Sequence, residues 1–137
     1  MNAFIDLRIS GQGLNHAEIT SQIKVTPNHT FKKGDVVLSK VTGEETIHKE
    51  DTWIAGVECC SCDGESIEQA LAGFLEKILP SAKYLSELAC RHSITLWVSA
   101  YPEAEQINLH LSNKVIHILF EMGIALDFNV LFLKEFY

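Results

Sequence analysis

The chain lacks any apolar run long enough to span a bilayer: its longest, near the C-terminal end, is interrupted by Glu121 and Asp127. It also lacks a basic leader followed by an apolar core. Residues 1–10 alternate instead and carry Asp6 and Arg8, which argues against a secretory signal. No Gly-x-Ser-x-Gly elbow, His-Glu-x-x-His pair or phosphate-binding loop occurs, so an enzyme is not the expectation, although a site assembled from distant residues would leave no such mark. Positive charge is scarce. The 137 residues hold 11 Lys+Arg against 18 Asp+Glu, a net charge of −7. Residues 1–52 carry 6 and 7 of these, and residues 53–137 carry 5 and 11. An acidic C-terminal portion speaks against nucleic-acid binding, which needs a basic patch to displace counterions. It suits a basic protein partner, unless the charge serves only solubility.

What is present describes an ordinary globular protein. A 47% hydrophobic and 21% charged composition excludes an intrinsically disordered chain. The length fits a single domain, residues 1–137, able to bury a core without disulfides. A cytoplasmic location, with no membrane contact, is the expectation.

Alternation and capping signals mark the elements. Ile5, Leu7 and Ile9 share one face of a first strand, and Asp6, Arg8 and Ser10 the other. After Gly11 and Gly13, Asn15 stands as an N-cap with Glu18 at the capping-box position and Leu14 and Ile19 as a hydrophobic staple. Pro27 keeps this helix short. Residues 26–35 read as a loop and residues 36–41 as a strand. Residues 42–45 read as a turn or a longer polar hairpin connection, and a further strand runs from Trp53 towards Cys60. Ser66 and Gln69 form a capping box that opens a strongly amphipathic helix through Leu79, with Glu65 and Glu68 near its positive end and Lys77 near its negative end. Pro80 breaks or kinks it, and a second piece runs to about Arg91. Ile94, Leu96, Val98 and Ala100 mark another half-buried strand, followed by an acidic turn over residues 102–106. Residues 107–111 alternate as a strand. Ser112 then caps a helix stapled by Leu111 and Ile116, Gly123 ends that helix, and residues 124–133 form an apolar closing strand.

The predicted order is β-α-β-β-α-β-β-α-β, an α+β fold with a mixed, largely antiparallel sheet and helices packed on one face. The succession of a strand ending in Gly11, then Glu18-Ile19-Thr20, Pro27, Lys33-Gly34-Asp35, Trp53, the helix from Ser66 and the closing Leu111-Ser112 helix with Gly123 resembles the bacterial domain-of-unknown-function family four-two-seven-nine over nearly the whole chain. The resemblance implies a small α+β cytoplasmic protein, and it implies no activity, cofactor or catalytic residue. The cysteine-rich stretch after Trp53 departs from the family pattern.

Cys59, Cys60, Cys62, Cys90 and His92 are ligand types that zinc prefers, but their spacing is poor for a metal site. On a strand, Cys59 and Cys60 point to opposite faces, whereas Cys60 and Cys62 share one. Small core residues, exposed thiols or a redox pair explain them as well. No metal site and no cofactor is expected. Gly11-Gln12-Gly13 is shaped like part of a dinucleotide-binding turn, but His16 occupies the third glycine position and a strand-to-helix turn needs glycines anyway. His117 and Glu121 lie one turn apart on a solvated helix face.

The candidate site is geometric. If the apolar strand residues face the helices, the opposite sheet face carries Asp6, Arg8, Trp97, Tyr101, His110, Asp127 and Asn129. Aromatics, arginine and histidine among polar groups suit a recognition surface, although outward cross-strand aromatic pairs are common without one. The loop between Thr42 and Asp51 is also long enough to cover Trp97. Arg8, Trp97, Tyr101, His110 and Asp127 are thus the candidate binding residues, and no catalytic residue is assigned. The expected function is a non-enzymatic interaction module, of which an immunity-type protein that neutralises a basic toxin is one version. The alternative is a small-molecule or metal-dependent protein centred on residues 59–62 or on His110 and Asp127. A homo-oligomer pairing through an edge strand or the Leu131 and Leu133 tail is a third.

Overall fold

The computed structural model describes residues 3–39, 42–59, 63–101 and 108–130. In chain order the elements are β1 (Ala3–Gly11), α1 (His16–Ile23), β2 (His29–Phe31), β3 (Val36–Leu38), β4 (Glu45–Ile47), β5 (Asp51–Cys59), α2 (Gly64–Ile78), a 3-10 turn (Leu79–Ser81), α3 (Ala82–Ala89), β6 (Ser93–Ala100), α4 (Asn113–Met122) and β7 (Ala125–Val130). The alternation in β1 does what it predicts: Ile5, Leu7 and Ile9 are fully buried, and the intervening residues face away. β1 pairs antiparallel with β5 on one side and β6 on the other, in a five-stranded sheet of order β2-β5-β1-β6-β7. Only β6 and β7 run parallel, because α4 carries the chain back between them as a crossover requires. β3 and β4 form a separate hairpin. The fold is α+β, mixed and mostly antiparallel.

The helices cover one face of the sheet. Ile67, Leu71, Leu75 and Ile78 of α2, Leu85 of α3 and Ile19 of α1 bury against Ile5, Leu7, Trp53, Leu96 and Val98. Asn15 Oδ1 accepts from the Glu18 amide at 3.1 Å, as the capping reading requires. α2 starts earlier than its sequence suggests. Asp63 is the N-cap, its Oδ1 accepting from the Ser66 amide at 2.8 Å while Ser66 Oγ donates to Oδ2, so Ser66 stands at the third helical position. Pro80 falls in the 3-10 turn that separates α2 from α3. Ser112 caps α4 through Val115, and Gly123 closes it at φ 67° with its amide on Phe120 and that of Ile124 on Leu119, a Schellman-type stop.

Other expectations also need correction. Residues 26–35 are not all loop, since His29–Phe31 pairs with β5 as an edge strand too short for periodicity to show. Residues 108–111 are not a strand; Leu109 and Leu111 alternate because they lean onto the core beside α2, without a partner strand. Ile116 is 51% exposed, so the staple proposed with Leu111 buries little of it. The turn expected at residues 102–106, and residues 107 and 131–133 of the expected strands, lie outside the described residues, as do residues 40 and 41.

Polar anchors fix the α1 end of the sheet. His16 Nε2 lies 3.0 Å from the Phe31 carbonyl and 3.1 Å from that of Thr52, so it carries the proton and donates to both, tying α1 to the β2–β5 seam. Asp51 accepts from the Leu14 amide at 3.0 Å and the Lys33 amide at 2.8 Å. The Lys33 amide is the main reason that its carboxyl is held below the ordinary value, with burial opposing and the Leu14 and Gly13 amides helping. A depressed carboxyl adds stability above its unfolded value and loses it as pH falls through the folded value. Asp51→Asn is therefore expected to unfold at lower urea than the parent at neutral pH, with the difference closing below about pH 4. Urea melts at pH 7 and pH 3 check this, and an undiminished gap at pH 3 would contradict it.

Candidate functional site

Because the helices pack on one face only, the other face of the sheet is open among the described residues, and strand register decides what it displays. One row runs across four strands: Gly56 of β5 opposes Asp6 of β1, Asp6 opposes Trp97 of β6, and Trp97 opposes Asp127 of β7. An indole thus sits between two carboxylates. In the next row Ile54 opposes Arg8, and Arg8 opposes Thr95. Arg8 folds back so that its guanidinium carbon lies 4.3 Å from the Trp97 ring centroid, a cation–π contact, with a guanidinium nitrogen 3.9 Å from the Asp6 carboxylate. On the other side of the Trp97 row, Phe4 meets Tyr101 edge-to-face at 6.4 Å.

Gly56 shapes this surface. A Cβ there would collide with the Asp6 carboxylate and the Ile5 carbonyl, so the missing side chain lets Asp6 lie across β5. Burial pushes the Asp6 carboxyl above its ordinary value, against the pull of Arg8 and, more weakly, of His29. Arg8 Nε is enclosed without an acceptor among the described residues. The cluster is held by packing and charge rather than by a closed hydrogen-bond network.

The structure brings together Asp6, Arg8, Trp97, Tyr101, Asp127 and Asn129 on this face, as their alternation implies. It removes His110. That residue follows no strand, its amide donates to Glu68 of α2, and it lies with the helix layer rather than on the open face. The residues between Thr42 and Asp51 do not cover Trp97. The β3–β4 hairpin is tied beside β2, where the His48 carbonyl accepts from Gly34, and Arg8 is what lies over the indole. Phe31 and His48 stack there at 4.2 Å, extending the aromatic character of the face to its β2 edge. Only the short β2 pairing shows that Phe31 and His29 belong to it.

The other constellations dissolve. Cys59 is level with Ala3 and Ala100, whereas Cys90 and His92 precede Ser93 at the opposite end of β6, about 20 Å of strand away. Cys59 is buried and Cys90 is the α3 C-cap, its Sγ against the Ser86 carbonyl. Cys60 and Cys62 lie outside the described residues. Among the described residues no group of three or more His, Cys, Asp or Glu side chains is placed to hold a metal ion. Gly13 takes φ 71° and Gly11 packs against the His92 ring, so both glycines serve the turn into α1. His117 and Glu121 pair at 3.6 Å on exposed α4 surface. A cleft of about 750 Å³ on the helix side is lined by Lys24, Lys77, Lys83, Tyr84 and Glu87. Lys24 and Lys77 stand at the C-terminal ends of α1 and α2, a placement their dipoles favour without any ligand.

No helix of the described residues is long and apolar enough to cross a membrane. Neither a curated protein nor a solved structure matches the chain. Residues 2–133 match the family described as a domain of unknown function (DUF4279). The chain belongs to that family.

Proposed function

We propose that this DUF4279 member is a non-enzymatic protein-interaction module whose open sheet face takes a basic protein partner in the cytoplasm. The observation that carries this reading is the row in which Asp6 and Asp127 flank Trp97 under the Arg8 guanidinium. An aromatic anchor with arginine is the composition of interface hot spots, and half-buried Trp97 with Arg8 stacked on its ring sets that pair at the centre of the face. Carboxylates at its rim, on a chain of net charge −7, favour a cationic partner and fast association. An immunity-type protein that neutralises a basic toxin is the concrete form of this reading.

The test is titration with a basic protein encoded beside this one, by calorimetry at several salt concentrations. A tight complex whose affinity falls by about tenfold or more between 50 and 500 mM salt is expected. A complex indifferent to salt would contradict the charge argument, and binding that survives removal of the face residues would contradict the surface.

A further inference from the structure

We propose that two copies of this chain join along β7, edge to edge about a two-fold axis, into one continuous ten-stranded sheet. The two edges of the sheet are managed differently. β2 is three residues long and flanked by the β3–β4 hairpin, both of which discourage pairing with another chain. β7 is six residues long and carries no proline, lysine or arginine; its only charge is Asp127, and among the described residues nothing pairs with its outer edge.

Exposed apolar surface adjoins that same edge, where α4 packs beside β7. Lys114 of α4 reaches back to Glu76 of α2 at 3.8 Å, which fixes the flank that α4 turns inward along the helix layer. Ile116 lies about 200° further around the helix, on the flank away from α2, whereas Phe120 lies about 150° from the middle of the buried Ile118, Leu119 and Met122 stripe and points outward from the sheet. Ile116 and Phe120 are 51% and 80% exposed, and Phe120 is the most exposed large apolar side chain of the described residues. Phe128 opposes Val98 on the helix side of the sheet and is still 37% exposed, because no strand lies beyond it.

A second copy fits this edge because the edge is self-complementary. About a two-fold axis normal to the sheet, opposed residues of antiparallel strands share a face, so the central pair is either Asp127 with the partner's Asp127 or Phe128 with the partner's Phe128. The first sets two carboxylates about 5 Å apart, which is unfavourable. The second centres a phenylalanine pair beside the Ile116 flank of α4, sets Asp127 against the partner's Asn129, and sets Leu126 against the partner's Val130. A stable dimer needs roughly 600 Å² from each partner.

This inference does not rest on the binding reading, and its test uses the full chain alone. Sedimentation equilibrium is expected to give twice the 15.3 kDa chain mass. Ile116→Glu, at a half-exposed flank position, is expected to weaken the dimer at least tenfold. Phe128→Cys is expected to cross-link between copies under oxidation well above the parent chain's own level, and Asp127→Cys much less, since residues 127 sit diagonally across the axis. A chain monomeric at all concentrations, a dimer indifferent to Ile116→Glu, or cross-linking that prefers position 127 would each overturn the proposal.

Discussion

Trp53→Ala is expected to cost about 3–5 kcal/mol of folding stability, the range for truncating a large buried aromatic. Trp53 is fully buried on the helix side of β5. Its Nε1 donates to Thr20 Oγ1 at 3.0 Å, and the same hydroxyl donates to the His16 carbonyl at 3.0 Å. The indole thus fills the space between sheet and α1 while its one polar atom finds an acceptor, as a buried tryptophan requires. Alanine leaves a cavity beside Ile9, its cross-strand neighbour, and removes the indole's hydrogen bond to Thr20. Domains of this size have only about 5–15 kcal/mol in hand, so a thermal melt is expected to fall by about 10–15 °C. A fall of under about 3 °C would mean that Trp53 does not anchor the α1 layer.

Trp97→Ala is expected to have the opposite profile. Trp97 is half-buried, lies on the open face, and supports Arg8 rather than the core. Its loss removes a cation–π contact and exposes Asp6 and Arg8 to solvent, so the melting temperature should move far less than for Trp53→Ala. Affinity for the basic partner should fall by at least about 2 kcal/mol, a factor of about 30, as truncation of a central hot-spot aromatic does. The contrast between the two tryptophans is what the assignment rests on. If Trp97→Ala destabilises as strongly as Trp53→Ala and leaves binding intact, Trp97 is a structural residue and the open face is not the site.

The division of labour between the tryptophans was legible in part. Ile94 to Ala100 alternates so strongly that Trp97 falls on the outer face without any structure, and Ile5, Leu7 and Ile9 place Asp6 and Arg8 there for the same reason. Which of these side chains meet could not be read, because register is set by pairing partners and not by periodicity within one strand. The row Gly56–Asp6–Trp97–Asp127 is a product of that register. His110 failed for a different reason: alternation at Leu109 and Leu111 is equally well satisfied by a segment leaning on the end of α2. The start of α2 differs because Asp63 and Ser66 are both N-cap residue types, and the structure uses Asp63. β2 escaped because three residues hold too little periodicity to separate strand from loop.

The most direct measurement follows from the chain's having two tryptophans, one buried in the core and one on the open face. In a Trp53→Phe chain, Trp97 is the sole indole, and its emission reports the centre of the proposed surface. Titration with the basic partner is predicted to shift or quench that emission saturably, in step with complex formation followed by sedimentation. A complex that forms while Trp97 emission stays unchanged would place the binding surface elsewhere and contradict the account.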